Sequence, residues 1–438
     1  MNSKKKTLIA VSSSVGAVAL ILVIVLLSVY FATLCSIKDL MEIDMVYLDK
    51  SRKSTIDKRN TYLGHPDLVD VDGTGATLMT FYPSGHGKGA IIGKVSKDQG
   101  ATWQNMTNLP ASWVNSMETP CVYRLDFTDG RQAIVLTSGC PYWAGDGILP
   151  DGFNSSVSWD KGNSWSEFEK WYGEDWAKAN NSLPYDCVVA MSSLTRLKEN
   201  GKYIDKWMGT FHRGGGNYGK DAPEAYVNYR TYLTFDGDRA IWSTPEPLLA
   251  EHRQLEGKYG MCELEIIRNP HNDCLILIAR PNNRVSNALI CYSYDEGITW
   301  TSPKELPNVL TGDRHKADYD PVSGKVIISF RQVLQKKDNS FKKSALSTVN
   351  WQSEGWVAWI GDFDDLMSFA SDDVSKHTNG DALLVVGKNY TAMDCGYSGV
   401  VILKDGTVIM DSYGYFSRTA TKPYIVQAKF KIADVIKS

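Results

Sequence analysis

Three copies of one eight-residue pattern constrain the fold of this chain more than any other feature of its sequence. The pattern is Ser-x-Asp-x-Gly-x-Thr/Ser-Trp, and it occupies residues 96–103, 158–165 and 293–300. The Asp and the Gly are typical of a tight turn, and the Trp supplies a large ring that can pack beneath a sheet. Because the same positions are fixed in all three copies, we interpret the octet as a repeated staple of β-hairpins.

A second repeat consists of turn signals that separate apolar or alternating runs, which is the pattern of β-hairpins. These signals are Asp72-Gly73, Asp129-Gly130, Asn200-Gly201, residues 269–273, Ser323-Gly324 and Asp405-Gly406. A degraded octet, residues 234–238 with Trp242, lies where the third unit needs one. Repeats of about four strands around an axis are typical of a β-propeller. The sequence therefore predicts an all-β fold, a six-bladed β-propeller.

The N-terminal region has the composition of a membrane anchor. Residues 8–34 carry no charge and are mostly apolar, which is long enough to cross a bilayer as a helix, and Lys4, Lys5 and Lys6 precede them. We predict a cytoplasmic tail (1–6), a transmembrane signal anchor (7–35), a stalk that includes at most one strand (36–60) and the propeller (61–438). This is type II single-pass topology with an extracellular or lumenal propeller; a cleaved signal peptide is the weaker alternative. Four Asn-x-Ser/Thr sequons, at Asn105, Asn154, Asn180 and Asn389, agree with it.

Composition excludes several functions. The net charge is -3 and no basic block follows the first residues, so a nucleic-acid partner is not expected. Eight cysteines are too few for a disulfide scaffold, and Cys35 lies at the membrane edge. Cys121 with Cys140, or Cys274 with Cys291, have spacings that neighbouring strands could bring together; the alternative is that they are buried small hydrophobes. No Cys or His spacing indicates a metal site, and no cofactor is predicted.

A propeller places the start of each innermost strand and the end of each second strand at one mouth of its channel. Inner-strand starts predict convergence of His65, Glu118, Met191, Glu263, Arg314 and Tyr397. Second-strand ends add His86, His212, Arg213, Arg280, Arg331, Tyr413 and Tyr415. Arginines provide a planar fork that binds a carboxylate through two hydrogen bonds. The set therefore favours an anionic ligand in a polar funnel.

The octets resemble the Asp boxes of the sialidase superfamily, and with the six hairpins the resemblance extends from about Tyr62 to the end of the chain. Asp boxes also occur in propellers that only bind ligands or serve as scaffolds. The resemblance therefore implies the propeller architecture along most of the chain, whereas the inference of catalytic activity rests on a few residues.

Two segments resemble the catalytic segments of sialidases. Residues 262–267 with 275–280 resemble the blade that supplies a glutamate and a clamp arginine, here Glu263 and Arg280. Residues 394–399 resemble the segment that supplies the tyrosine, here Tyr397. The resemblance implies that Tyr397 is the nucleophile and Glu263 its base, as in the sialidase exception to two-carboxylate glycoside hydrolysis. The alternatives are a structural carboxylate paired with arginine and an aromatic side chain that only lines the channel.

The resemblance fails in the first blade. Sialidases begin this blade with Arg-Ile-Pro, whereas residues 62–67 read Tyr-Leu-Gly-His-Pro-Asp, and the loop that should supply an acidic general acid, residues 81–89, contains no carboxylate. His86 could donate the proton instead, with His65 or Asp67 sharing the site. The Gly-rich run around His86 could also be only a flexible rim loop.

The remaining substrate contacts are less specific. Arg314 and Arg331 compete for another place in the carboxylate clamp, and Glu118 lies at an inner-strand start. An arginine that ends a strand can also be a solvated rim charge.

Two classes of function remain. The first is a membrane-anchored exo-α-sialidase-like hydrolase that removes terminal sialic acid, or a related ulosonic acid, from glycans with retention of configuration. The second is a catalytically silent glycan-binding propeller, a surface lectin or adhesin. Transfer of sialic acid to another sugar is a third possibility.

Overall fold

The computed structural model describes residues 16–27, 37–87, 89–116, 119–140, 151–213, 226–336, 350–391 and 393–436. Six antiparallel sheets account for nearly all of the regular structure in these ranges, and the all-β, six-bladed propeller is confirmed. The first strand of each blade contacts the first strand of the next, and the first strand of blade 6 contacts that of blade 1. The six innermost strands therefore form a closed ring around a central channel.

Blades 1 to 3 consist of strands that follow one another in sequence. The strands of blade 1 are Asp67–Asp70, Leu78–Pro83, Ile91–Ser96 and Gln104–Asn105. The strands of blade 2 are Cys121–Asp126, Gln132–Gly139, Phe153–Ser158 and Glu169–Trp171. The strands of blade 3 are Cys187–Glu199, Lys202–Arg213, Val227–Asp236 and Arg239–Trp242, with Glu246–Pro247 paired to the third.

Blades 4 to 6 include two strands from the N-terminal region. The strands of blade 4 are Met261–Arg268, Leu275–Pro281, Leu289–Ser293 and Lys304–Glu305. The strands of blade 5 are Gly312–Asp320, Lys325–Gln332, Gly355–Gly361, Ala382–Lys388 and, parallel to the last, Met45–Tyr47. The strands of blade 6 are Ser398–Ile402, Thr407–Gly414, Tyr424–Lys431 and Lys53–Asp57. A separate ribbon pairs Leu334–Gln335 with Trp351–Gln352.

The described helices are short and lie between strands or blades. Besides residues 16–27, the α-helices are Ile37–Met41, Glu174–Ala179, Arg253–Tyr259 and Phe363–Ser368. The 3-10 helices are Lys50–Arg52, Ala111–Asn115, Ala250–His252, Asn308–Leu310, Val374–Lys376 and Ile432–Asp434. The apolar faces of neighbouring sheets pack against each other, so the core lies between the blades and the channel lies at their centre.

All six turn signals connect the first strand of a blade to the second, as predicted. Each octet follows a third strand and closes with the same hydrogen bonds. In the blade 4 copy, Ser293 Oγ accepts from Gly297 N at 2.9 Å, and Asp295 accepts from the backbone N and the hydroxyl of Thr299. The turn requires a positive φ at its glycine, which is 80° at Gly297. The octets are therefore structural turns.

Part of the predicted stalk is integrated into the propeller. Met45–Tyr47 pairs with the outer strand of blade 5, and Lys53–Asp57 pairs with the third strand of blade 6. Ile37 and Met41 are buried in the apolar cluster between blades 4 and 5. Blade 6 therefore combines strands from both ends of the propeller region, which closes the ring.

The predicted membrane anchor is covered only in part. Residues 16–27 form an exposed helix, while residues 1–15 and 28–36 lie outside the described residues. None of the helices in the described ranges combines the length and the apolar character needed to cross a bilayer. The structure therefore does not support the anchor, and it stays a prediction.

The cysteines and one sequon differ from expectation. The seven cysteines within the described ranges are all buried and unpaired, so neither predicted disulfide is formed and the alternative, buried small side chains, holds. Cys35 lies outside the described residues. Asn154 is 8% exposed in a strand of blade 2 and donates to Cys140 Sγ at 3.4 Å, so it cannot carry a glycan in the folded protein.

The junction of blades 6 and 1 contains a buried carboxylate, Asp411, which accepts hydrogen bonds from the Thr80 hydroxyl and from Gly399 N. Burial raises the pKa of Asp411 to about 7, although these hydrogen bonds lower it. Between its ordinary pKa of 3.8 and about 7, Asp411 holds a proton in the folded protein that it has lost in the unfolded chain. The free energy of unfolding therefore falls as pH rises through this window, by up to about 4 kcal/mol from this residue.

Because Asp411→Asn removes this titration, the stability of the wild type relative to the variant should decrease as pH rises from about 4 to about 7. Urea unfolding of both proteins at several pH values in this window measures the difference. A difference that stays constant with pH would show that Asp411 does not titrate in the window.

Candidate functional site

Backbone irregularities mark the starts of inner strands at the channel mouth. The register between the first two strands shifts between Cys262 and Glu265 in blade 4, and between Asp313 and Lys316 in blade 5. Glu263 and Arg314 lie in these irregular segments with φ values of 49° and 55°. A bulge redirects the side chain of the extra residue, and a non-glycine residue with positive φ is uncommon outside such sites. The irregular segments place both side chains at the channel.

Tyr397, Glu263 and Arg280 form one hydrogen-bonded group. The Tyr397 hydroxyl donates to Glu263 Oε1, and Arg280 Nη1 donates to the same oxygen at 2.6 Å and to the Tyr397 hydroxyl at 3.1 Å. Glu263 Oε2 is buried and has no hydrogen-bond partner among the described residues. The structure thus brings together the three residues that the resemblance selected for catalysis, although they come from two blades.

The two acidic groups of this set have opposite protonation states at neutral pH. Burial raises the pKa of Tyr397, and the charge of Glu263 raises it further, so the phenol is protonated. Burial also raises the pKa of Glu263, but the Arg280 charge and the hydrogen bonds from Tyr397 and Arg280 outweigh it and hold this pKa below its ordinary value. Glu263 is therefore a carboxylate, able to accept the Tyr397 proton.

Three arginines surround a carboxylate that was not predicted, Asp313. Arg284 Nη1 donates to its two oxygens at 2.7 and 2.9 Å, and Arg331 donates through Nε and Nη2 at 3.1 and 2.6 Å. Arg280 Nε lies 3.2 Å from Asp313 Oδ1, within ion-pair range but without hydrogen-bond alignment. The Arg331 guanidinium also lies 5.3 Å from the centre of the Tyr397 ring. The arginine cluster, Arg280, Arg284 and Arg331, therefore borders Tyr397 directly.

The arginine cluster keeps an excess positive charge. Burial raises the pKa of Asp313, but the charges of the three arginines outweigh it and hold this pKa well below its usual range. Two carboxylates, Asp313 and Glu263, therefore face three guanidinium groups. The remaining positive charge favours an anionic group beside Tyr397.

His65 lies in the first-blade segment, residues 62–67, where the resemblance calls for an arginine. Its ring lies 4.8 Å from the ring of Tyr397 and 4.9 Å from that of His86. Burial lowers the pKa of His65 well below its ordinary value, and the charges of His86, Arg331 and Arg314 lower it further. His65 is therefore neutral and adds no fixed charge to the clamp.

His86 lies at the rim of the same site, and its side chain is 59% exposed. Its Nδ1 is 2.6 Å from the hydroxyl of Tyr62, and that hydroxyl donates to Asp394 Oδ1 at 2.6 Å. The centres of the His86 and Tyr397 rings are at most about 10 Å apart, because both lie within 5 Å of His65. His86 and Tyr397 therefore both contact the ring of His65.

Of the other predicted site residues, Arg314 and Asp67 have recorded partners other than Tyr397, and Glu118 lies outside the described residues. Arg314 is buried and Nη2 donates to Cys121 Sγ at 3.0 Å across the channel. Asp67 links blades, since its oxygens accept from Leu68 N and Val122 N and lie 3.7 Å from Lys316 Nζ.

The sequence interpretation missed residues that position the site. Asn282 accepts from Arg280 Nη2 at 2.9 Å and also hydrogen-bonds the Tyr226 hydroxyl, which fixes the guanidinium. Asp313 and Asp394 were part of the motifs that indicated Arg314 and Tyr397, and their proximity was the available signal. In the ranges that the structure describes, no group of three or more His, Cys, Asp or Glu residues could hold a metal ion.

The six-bladed propeller of this chain has the sialidase-like fold. Solved structures with this fold include the intramolecular trans-sialidase from Ruminococcus gnavus (TM-score 0.55, 12% identity, 88% of this chain and 98% of that chain). They also include the α-L-arabinanase from Penicillium chrysogenum (TM-score 0.52, 12% identity, 88% and 99%). A protein of unknown function from Dyadobacter fermentans is similar as well (TM-score 0.56, 15% identity, 86% and 97%).

No protein-family model matches the chain, and no curated protein matches its sequence. At identities of 12 to 15%, the similarity to solved structures establishes the fold. A fold of this kind does not determine the activity of a protein, which depends on the residues of its site.

Proposed function

We propose that this protein is an exo-α-sialidase-like hydrolase that removes terminal sialic acid, or a related ulosonic acid, from glycans with retention of configuration. The observation that carries the proposal is the hydrogen bond from the Tyr397 hydroxyl to Glu263 beside Arg280. The anomeric carbon of these sugars bears a carboxylate, which repels an anionic nucleophile but not a neutral phenol. A protonated tyrosine next to an ionised glutamate suits this substrate class.

The first step transfers the sugar to the enzyme. The Tyr397 oxygen attacks the anomeric carbon while its proton passes to Glu263, so the nucleophile becomes strong only as the bond forms. The bond to the leaving oxygen breaks with its electron pair, and this oxygen takes a proton from a general acid. Water then attacks the anomeric carbon and gives one proton to the conjugate base of the general acid. The bond from the anomeric carbon to the Tyr397 oxygen breaks, and this oxygen takes its proton back from Glu263.

His86 is the proposed general acid. The first-blade loop that follows strand Leu78–Pro83 offers no carboxylate for this role, and His86 is the exposed titratable group near Tyr397. An imidazole nitrogen can both donate and accept a proton, which suits a group that first donates and later accepts one.

The arginine cluster is the proposed recognition site for the sugar carboxylate. Its excess positive charge lies beside Tyr397, so an anion bound there would place the anomeric carbon next to the nucleophile. The predicted anchor at residues 7–35 adds a proposed location, with the propeller displayed on the outer or lumenal side of a membrane.

A glycan-binding protein without activity is the second candidate. The observation that favours it is Asp313, which already engages all three arginines and would compete with a substrate carboxylate. Transfer of sialic acid to an acceptor sugar uses the same residues as hydrolysis, and product analysis distinguishes it from hydrolysis.

The proposal is tested by incubating purified full-length protein with a 4-methylumbelliferyl sialoside and measuring fluorescence release. We expect turnover by the wild type and its loss in Glu263→Gln, which keeps the shape of the side chain but cannot accept the Tyr397 proton. Binding to sialylated glycans without any release by the wild type would favour the lectin instead.

A further inference from the structure

A chain of three side chains connects the two ends of the propeller at the rim of the site. Asp394 precedes the first strand of blade 6, Tyr62 precedes that of blade 1, and His86 follows the second strand of blade 1. The Tyr62 hydroxyl lies 2.6 Å from both Asp394 Oδ1 and His86 Nδ1. Both distances are within hydrogen-bonding range, so the one hydroxyl contacts both partners.

The number of protons available fixes the direction of each hydrogen bond. A carboxylate only accepts, so the single Tyr62 proton is donated to Asp394. Burial raises the pKa of Tyr62, and the Asp394 charge raises it further, which keeps this hydroxyl protonated. The Tyr62 oxygen then accepts a hydrogen bond, and its other partner, His86 Nδ1, must be the donor.

We infer that Asp394 and Tyr62 are positioning residues that hold a proton on His86 Nδ1 and direct His86 Nε2 to the substrate's leaving oxygen. This deepens the proposed function and rests on it. With Nδ1 occupied, any proton that His86 gives up or takes during the reaction moves through Nε2. Asp394 Oδ1 also lies 3.8 Å from His86 Nδ1, so the same carboxyl group borders both members of the chain.

The surroundings of His86 agree with this role. The titratable groups recorded in contact with it in the described ranges are Tyr62, His65 and Asp394. His65 is neutral, and the ring of Tyr62 packs edge-on against His86 at 5.3 Å. Two aromatic neighbours and one hydrogen bond restrain the ring, and the side chain is 59% exposed.

The first test reads the proton position without any substrate. Full-length protein with nitrogen-labelled histidine is compared with its His86→Gln variant by NMR, which assigns the His86 signals among those of the seven histidines. We expect neutral His86 to carry its proton on Nδ1 in the wild type. In Tyr62→Phe, we expect His86 to lose this preference for the Nδ1-protonated tautomer. Neutral His86 protonated on Nε2 in the wild type would overturn the inference.

The second test uses two substrates that differ in their need for an acid, sialyl fluoride and sialyllactose. Loss of a general acid lowers the rate of hydrolysis of sialyllactose, an alkyl glycoside, by about 10²–10⁴-fold. It lowers the rate on sialyl fluoride only slightly, because fluoride ion leaves without being protonated. We expect His86→Gln to show this difference. We expect the rates of Tyr62→Phe and Asp394→Asn to fall by about tenfold or more on sialyllactose but to stay within about threefold of the wild-type rate on sialyl fluoride.

Tyr82→Phe is the matched control, because Tyr82 is a buried tyrosine of blade 1 that donates to a different carboxylate, Asp57, at 2.8 Å. Tyr82→Phe should not reduce the rate on sialyllactose more than the rate on sialyl fluoride. Equal losses on both substrates in Tyr62→Phe and Asp394→Asn, as a purely structural role would produce, would overturn the inference. If the wild type turns over neither substrate, both the proposed function and the catalytic role of Asp394, Tyr62 and His86 are refuted. The NMR measurement tests the hydrogen bonds among these three residues independently of activity.

Discussion

Tyr397→Phe is expected to reduce the release of sialic acid by at least about 10³-fold, because the variant has no nucleophilic oxygen. The protein should remain folded. The substitution removes the hydroxyl that donates to Glu263, but Arg280 still donates to the same Glu263 oxygen, so no buried acceptor is left unpaired there. We expect a loss of about 1–2 kcal/mol in the free energy of unfolding.

Initial rates on the 4-methylumbelliferyl sialoside and urea unfolding measure the two effects. Tyr292→Phe is the matched control, since it deletes a buried tyrosine hydroxyl that donates to Leu366 O at 2.6 Å between blades 4 and 5. It should cost similar stability and leave the rate unchanged. A Tyr397→Phe variant with rates close to wild type would exclude Tyr397 as the nucleophile.

Asp313→Asn is expected to have the largest effect on stability. Asp313 is 1% exposed, and its replacement leaves three guanidinium groups facing the Glu263 carboxylate alone. Removing one partner of a buried ion-paired group costs about 3–5 kcal/mol. A bound carboxylate can replace the lost charge, so free N-acetylneuraminic acid should raise the melting temperature of the variant more than that of the wild type.

Thermal unfolding with and without this acid measures the effect. Asp57→Asn is the control, because Asp57 is a buried carboxylate paired with Arg59 and Lys94 outside the site. It should lower stability without increasing the response to the ligand. If the acid stabilises Asp313→Asn no more than Asp57→Asn, the arginine cluster is not the carboxylate site.

The blades could be predicted because their signals are local. Each octet and each two-residue turn determines a hairpin from residues that are adjacent in sequence, and six such hairpins define the ring. The outer strands of blades 5 and 6 could not be predicted as such, because Met45–Tyr47 and Lys53–Asp57 are short and pair with strands more than 300 residues away.

The same contrast holds in the site. The propeller register predicted that Glu263, Arg280 and Tyr397 lie at one mouth, and the resemblance to sialidases selected these three from the longer list of inner-strand starts and second-strand ends. Asp313 was missed because its role depends on three arginine side chains converging on one carboxylate, which strand register does not specify.

The contact between Tyr62 and Asp394 was also missed, because it joins residues 332 positions apart at the closure of the ring. Sequence motifs therefore located the proposed nucleophile. The electrostatic environment of the site and the state of its acid required the side-chain geometry.

The central claim is that Tyr397 forms a covalent bond with the sugar during turnover, and trapping this intermediate tests it most directly. A sialosyl fluoride that carries a second fluorine next to the anomeric carbon reacts through its good leaving group, and the added fluorine slows hydrolysis of the intermediate. After incubation with the full-length protein, mass spectrometry of proteolytic peptides should show one added sugar on the peptide that contains Tyr397, and none in Tyr397→Phe. An unlabelled wild type, or a label on another residue, would contradict the account.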